Sequence, residues 1–217
     1  MKYIFLLVKR FSRRNWHKFF LKSLTEIKSV ENLKVLNIGS GGPIQAIIES
    51  SLQGSIINID IDPGRKPDIV MDVTSLEFDN NSFDLVIMME VLEHVKEPKK
   101  ALSEISRVLS HDGRLIMSTP FILGIHDEPY DYYRFTKYGL KYLLSDFKIK
   151  IQETNDFAHT IVVLVGRLLK SKLRKDKIIG LAILTPILLA YPIVFIISKS
   201  ISCNNITTGY FVDAKKK

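Results

Sequence analysis

Between residues 33 and 120 the chain alternates short apolar runs with segments of helical spacing. Residues 35–38, 56–59, 69–71, 85–88 and 115–118 read as buried strands, and 44–52, 91–95 and 99–109 as the helices between them. Strand and helix in turn imply a parallel sheet covered on both faces, a doubly wound α/β fold. Residues 147–153 predict a further strand, and residues 207–213 (TTGYFVD) another close to the end. Ahead of this core, residues 3–28 set Phe5, Val8, Phe11, Trp16, Phe19, Phe20, Leu24 and Ile27 at helical spacing among basic side chains. That pattern predicts one or two amphipathic basic helices, suited either to an anionic membrane surface or to capping the sheet with a solvated basic face. Residues 178–197 (IIGLAILTPILLAYPIVFII) run for twenty positions without a charge, a length that matches a bilayer core of about 30 Å.

Composition narrows the class. With 217 residues, 46% of them apolar, the chain can bury one packed domain and carry appendages, and it is too apolar for disorder. Its net charge of +8 sits on the extremities. Residues 1–22 hold seven basic side chains (Lys2, Lys9, Arg10, Arg13, Arg14, Lys18, Lys22) and no acid, residues 170–177 hold five against Asp176, and three lysines follow at 215–217. What remains has 16 basic and 22 acidic residues, so the body is acidic and a nucleic-acid groove is not expected. The run 3–8 is too short for a signal peptide and is followed by Lys9 and Arg10 with no small-residue cleavage site. The single cysteine, Cys203, can form neither an internal disulfide nor a zinc site. No metal set is expected, and the reducing, cytoplasmic side is favoured.

The chemistry gathers at the carboxyl ends of the predicted strands. The first runs into Gly39-Ser40-Gly41-Gly42-Pro43 and then a helix, the place where open α/β sheets bind ligands. The second ends in Asp60, placed to accept hydrogen bonds from the two hydroxyls of a ribose. Asp72 follows the third strand, and Phe83-Asp84 introduces the fourth. Turn, ribose acid and second acid in this order point to a nucleoside-type ligand. A dinucleotide fingerprint needs a glycine where this chain has Ile44, and no Gly-Lys-Ser/Thr is present, so a phosphate over the turn is disfavoured and a nicotinamide oxidoreductase fits poorly. S-adenosylmethionine, with an amino-acid carboxylate and a sulfonium in place of phosphates, tolerates the looser turn.

The segments VLNIGSGG, INIDIDP, DIVMDVTSLEFDNNSFDLVIMMEVLEHV and ALSEISRVLSHDGRLIMSTP resemble the successive motifs of class I S-adenosylmethionine-dependent methyltransferases, most closely the type 11 branch. The similarity covers residues 33 to about 146, through HDEPYDYYRFTKYGLKYLL. It implies a Rossmann-like methyltransferase sheet with helices on both faces and S-adenosylmethionine as cofactor. Gly39 and Gly41 would let the backbone approach the methionine part, Asp60 would hold the ribose, and Asp72 with Val73 would frame the adenine. Met89 and Glu90 would lie near the cofactor as the fourth strand ends. Asn37 stands where the family usually has an acid, and would bind without supplying charge; Pro43 stands where it usually has a third glycine. These departures carry the competing reading, a non-catalytic membrane-recruited binding module that keeps the fold.

Methyl transfer is a direct displacement, so no covalent nucleophile is needed, and a hydroxyl acceptor would call for a general base. His94, His126 and Asp131 are the catalytic candidates, with Asp127 and Glu128 beside them. In HDEPYDYYRF, His126, Tyr130, Tyr133 and Arg134 are candidates for binding the acceptor, Arg134 through an acidic group. The alternative is a lid that Tyr132, Tyr133 and Arg134 lock against the core.

The chain divides into a basic amphipathic segment (1–30), a methyltransferase core (31–154), a hydrophobic helical insertion (155–205) and a final core strand with a basic tail (206–217). A single crossing of a membrane by 178–197 would strand residues 207–213 away from their sheet. The insertion is therefore expected to be a re-entrant or interfacial hairpin: a helix at 158–169, a basic loop at 170–177, and an apolar helix bent at Pro186 and Pro192. A soluble helix buried in an interface and a true transmembrane span are the other options. The expectation is a methyltransferase on the cytoplasmic face of the membrane, acting on a small-molecule or lipid-linked acceptor such as a glycan or isoprenoid intermediate.

Overall fold

Valine, isoleucine and leucine fill both faces of the central strands, so each face needs its own helical layer. The computed structural model describes residues 18–27, 32–198, 200 and 205–217. Its strands are β1 (Leu33–Ile38), β2 (Gly54–Asp60), β3 (Ile69–Val70), β4 (Phe83–Met89), β5 (Leu109–Pro120), β6 (Phe147–Glu153) and β7 (Gly209–Lys216). They form one sheet in the order β3-β2-β1-β4-β5-β7-β6, parallel except for β7, which runs antiparallel to both of its neighbours. The doubly wound expectation holds. Strand order reverses at β1, whose two neighbours are β2 and β4, and the carboxyl ends of these three strands open the crevice in which such folds bind ligands.

Helix α1 (residues 18–25), α2 (Gly42–Ser51), α3 (Pro98–Val108) and α4 (Lys137–Leu143) cover the sheet. Alternation along β4 divides the core: Leu85, Ile87 and Met89 pack with Phe20, Leu24 and Ile48, whereas Val86 and Met88 pack with Leu102, Ile105 and Leu140. The residues predicted to form the basic N-terminal helix lie mostly outside the described residues. Of its described part, Phe20, Leu24 and Ile27 are buried against the sheet. Ser23 donates to Asp213 at 3.1 Å, and Arg114 bridges Glu26 at 2.8 Å and binds both carboxylate oxygens of Asp213. One strand pair, β5 and β7, is thereby stapled to α1.

Several boundaries differ from the sequence pattern. The predicted helix at 91–95 is a single 3₁₀ turn, Leu92–His94. Strand β5 is twice the predicted length or more, because a register shift opposite Phe83–Leu85 lets it begin directly where α3 stops. Helix α4 has no predicted counterpart; the Thr136 hydroxyl caps it by accepting from the Gly139 N–H at 3.0 Å.

The insertion leaves the sheet after β6 and returns at β7. It consists of α5 (Phe157–Gly166), a 3₁₀ turn (Arg167–Lys170), α6 (Arg174–Leu189) and α7 (Tyr191–Ser198). The expected basic loop is shorter than predicted, since Arg174, Lys175 and Lys177 already belong to α6. Nor does the bend fall on a proline. Pro186 sits inside α6, and the 68° break lies at Ala190, between α6 and α7. Pro192 sits in the first turn of α7, where its missing N–H has no intrahelical partner to lose. Val162, Leu169 and Leu184 form a small core of their own, separate from the two sheet clusters.

The feet of the insertion are tied together. Thr154 and Thr207 both donate to the Gly209 carbonyl at 3.0 Å, and Asn155 donates to Thr208 at 2.6 Å. A Cβ on Gly209 would stand 2.5 Å from the Thr119 carbonyl, so only glycine lets β7 enter beside β5 here. Removing Asp213 leaves the Arg114 guanidinium with the half-exposed Glu26 as its carboxylate partner. Asp213→Ala is expected to destabilise the fold by about 2 kcal/mol, the scale of lost charged hydrogen bonds, measured as a lower urea midpoint with an unchanged m-value.

Candidate active site

Gly39 continues β1 into the crevice: its N–H bonds the Ile59 carbonyl at 2.9 Å, and its φ of 93° is a conformation that favours glycine. A Cβ there would meet Val91 Cγ2 at 2.5 Å, so the turn and the start of the 91–95 segment touch only because the position is bare. Gln45, one turn into α2, accepts from the Gly41 N–H at 2.8 Å and from Ser40 at 3.0 Å, which orders the loop from below. Pro43 lies in the first turn of α2, where no N–H is needed.

Asp60, closing β2, accepts from the Asp62 N–H at 2.9 Å, and the Arg65 guanidinium lies 3.8 Å from its second oxygen. Asp72 is exposed after β3 and turns its carboxylate onto the N–H and hydroxyl of Thr74 at 2.8 and 2.9 Å, while Val73 is buried. Arg107, paired with Glu104, binds the carbonyls of Leu76 and Phe78 and so pins the loop that follows Asp72. Met89 is buried at the end of β4; Glu90, at φ 54°, accepts from the Ser118 hydroxyl at 2.7 Å. Gly39, Gly41, Asp60, Asp72 and Glu90 thus all stand at strand carboxyl ends, whereas Asn37 does not face the crevice freely. It is buried within the sheet and donates to Asn58 at 2.9 Å, and Asn58 in turn donates to Asp68.

The strap after β5 folds back over the Leu92–His94 turn. The backbone N–H groups of Tyr132 and Tyr133 donate to the Glu93 carbonyl, and the Tyr133 hydroxyl to the Lys96 carbonyl at 2.9 Å. Arg134 is spent internally: it grips both oxygens of Asp131 at 2.6 Å and reaches the carbonyls of Leu123, Gly124 and Tyr133. Arg134 and Tyr133 therefore act as a lock, and of the four proposed acceptor contacts Tyr130 is the most exposed. The Asp131 carboxyl is held well below its usual range, chiefly by Arg134, so it stays ionised and is a poor proton acceptor.

His94 and His126, far apart in sequence, meet edge to face with ring centroids 5.0 Å apart. His94 Nδ1 lies 2.7 Å from the Tyr130 carbonyl, which can only accept, so that nitrogen carries the proton. His126 Nδ1 is 3.3 Å from Asp131 and 3.5 Å from the Arg134 guanidinium, which can only donate. The Nε2 of His94 then offers a lone pair, and both Nε2 atoms face Glu93 Oε1, at 3.7 and 3.6 Å. Glu93 is fully buried, and neither carboxylate oxygen has a hydrogen-bond partner among the described residues. Sequence reasoning missed this residue; its one signal was a carboxylate set between apolar positions in EVLEHV.

The fold and crevice resemble those of class I methyltransferase domains, which use S-adenosylmethionine. Residues 36–117 match a family model described as a methyltransferase domain, of the type 11 branch. The demethylmenaquinone methyltransferase of Renibacterium salmoninarum is 30% identical over 115 residues, covering 48% of this chain and 47% of that protein. The ubiquinone biosynthesis O-methyltransferase of Pelagibacter ubique is 28% identical over 123 residues, 51% of each. A SAM-dependent methyltransferase structure from Archaeoglobus fulgidus superimposes with a TM-score of 0.59 at 14% identity, over 92% of this chain and 94% of that one. The chain spans about half the length of the curated relatives it matches.

Burial is the main cause that pushes the Glu93 carboxyl up to about 7 from 4.5. A raised folded pKa means the fold favours the protonated acid, so stability is lost as pH rises from 4.5 through 7, by about 3 kcal/mol in all. Glu93→Gln removes that ionisation and supplies an N–H to an imidazole lone pair. In metal-free buffer its stability relative to the parent is expected to rise by about 3 kcal/mol between pH 5 and pH 8, read by urea unfolding; a pH-independent difference would contradict the assignment.

Proposed function

We propose that the protein transfers a methyl group from S-adenosylmethionine to a hydroxyl of a small or lipid-borne acceptor. The observation that carries this reading is the convergence of the Gly39 turn, Asp60, the loop after Asp72 and Glu90 on one crevice, beside the pair His94 and His126. The residues fit the cofactor. The bare Gly39–Gly42 turn leaves room for a backbone approach, and no atom stands within 4 Å of a Cβ built on Gly42. Asp60 would hold the ribose hydroxyls, and the buried Val73 would give the adenine an apolar wall.

When bound, S-adenosylmethionine supplies an electrophilic methyl carbon on a sulfonium. The chain's part is to hold the acceptor oxygen in line with that carbon and to exclude water. The Nε2 of His94 takes the hydroxyl proton, and the Nδ1 contact to the Tyr130 carbonyl holds the ring in the accepting tautomer. The relatives named for quinone biosynthesis support an aromatic or isoprenoid acceptor.

Membrane-face action belongs to the same proposal. No single helix among the described residues is long and apolar enough to cross a membrane, but α6 and α7 together form a bent pair that passes by length and composition. Ile178, Ile179, Leu189, Ile193, Ile196 and Ile197 on this pair are more than half exposed. Lys170, Lys172, Arg174, Lys175 and Lys177 precede them and would meet anionic head groups on the cytoplasmic side. The competing module without turnover draws on Asn37, which is neutral and committed to Asn58.

Titration with S-adenosylhomocysteine is expected to show saturable binding that Asp60→Ala weakens about 10- to 100-fold, the scale of a lost charged hydrogen bond. Absence of binding by folded protein would favour the module. In flotation assays the protein is expected to rise with anionic vesicles, and substituting Ile193, Ile196 and Ile197 together by Ser is expected to leave it at the bottom. Flotation unaffected by that change would remove α7 from the interface.

A further inference from the structure

Glu93, His94 and His126 each offer one ligand atom within 4.8 Å of the others. At 3.7 and 3.6 Å from the two Nε2 atoms the Glu93 oxygen is too far for a hydrogen bond, so its carboxylate lacks a positive centre. Its surroundings have the form of a metal site's outer layer. His94 gives its Nδ1–H to the Tyr130 carbonyl and directs Nε2 inward, and the His126 ring is held with Nδ1 beside Asp131 and Arg134 and Nε2 toward Glu93. Such outer contacts fix the tautomer and orientation that a metal ligand needs. Arg134 holds Asp131 in turn, through both oxygens.

We propose that Glu93, His94 and His126 form a two-histidine, one-carboxylate site for a divalent cation of the zinc class. Tetrahedral bonds of about 2.0–2.1 Å set ligand atoms about 3.3 Å apart, and Glu93 Oε1 lies 3.7 and 3.6 Å from the two Nε2 atoms. Contraction by a few tenths of an ångström closes the shell on those sides. Two imidazoles select a borderline metal over calcium or magnesium, which take all-oxygen shells. The exposed carboxylate of Asp127, 4.0 Å from His94 Nε2, stands where a fourth ligand or an acceptor oxygen would bind. The cation also removes the cost of a wholly buried carboxylate that has no hydrogen-bond partner among the described residues. This departs from the sequence expectation of no metal set, because the strap after β5 is what delivers His126.

With the cation bound both Nε2 lone pairs are taken, so an imidazole base belongs to the metal-free protein; metal binding does not depend on the methyl-transfer reading, and the test needs no turnover. Chelator-treated full-length protein is titrated with zinc chloride by calorimetry and with cobalt chloride by visible absorption. One equivalent of zinc, and a cobalt band of four- or five-coordinate intensity, are expected. Glu93→Gln and His126→Gln should each weaken zinc binding more than about 100-fold, beyond what losing an outer partner costs. His111→Gln, at an exposed histidine on β5, should change nothing. The Glu93→Gln protein is verified as folded by its urea transition, so a loss of binding there reports the site. No zinc binding by the parent, equal binding in Glu93→Gln, or a response to magnesium alone would each overturn the proposal. Failure to bind S-adenosylhomocysteine would reject the cofactor reading and leave the metal result standing.

Discussion

The slot between β5 and β6 is the constraint to which the rest of the molecule answers. Strand β7 enters it antiparallel, pairing from Gly209 opposite Pro120 to Lys215 opposite Arg114. Both feet of the insertion must then lie side by side at one end of the sheet, where Thr154, Asn155, Thr207 and Thr208 bind one another. Whatever α5, α6 and α7 do, they leave and return on the same side. The same strand carries Asp213 to Arg114, and through it the sheet holds α1. It also fixes the end of β5, since Phe121 and Ile122 donate to the carbonyls of Thr208 and Thr207. From that fixed point the strap through Arg134 turns back over the crevice.

The crevice itself mixes two kinds of order. On the cofactor side, positions are set by local turn geometry at strand ends, and their polar groups already have modest partners: Gln45 under the turn, Arg65 beside Asp60, Thr74 on Asp72. Such contacts exchange readily for a ligand's. On the strap side, Arg134 and Asp131 form a bidentate pair surrounded by carbonyls, which resists exchange. The buried Glu93 sits under that rigid strap. A strap that does not move leaves the two imidazoles and the carboxylate preorganised.

The insertion is a satellite. Its small core of Val162, Leu169 and Leu184 is separate from the sheet's clusters, while much of α6 and α7 presents isoleucine and leucine outward. Asp156, His159 and Tyr191 form a hydrogen-bonded chain, at 2.7 and 2.9 Å, that ties the start of α5 to the start of α7. The helices therefore hold a definite arrangement around an apolar outer face. Such a face suits contact with lipid or with another apolar surface.

Much of the sheet, with the glycine turn and the acids at its strand ends, was legible in the sequence. Strand runs, the glycine turn and the acids at strand ends are local signals, read from a few neighbouring residues each, and α2, α3 and β6 fell close to their predicted bounds. Other features depend on what distant segments do. Arg134 reads as an anion binder until the strap closes it onto Asp131, and Asn37 reads as a cofactor contact until register places Asn58 beside it. Pro186 and Pro192 predicted the bend, yet it falls between them at Ala190. The sequence by itself determined the alternation of strands and helices and the chemistry at their ends, because periodicity and turn residues act over short range. Only the tertiary structure decided that Glu93 is buried and faces two imidazoles, since burial is a property of the strap and the turn together, and neither segment carries it alone.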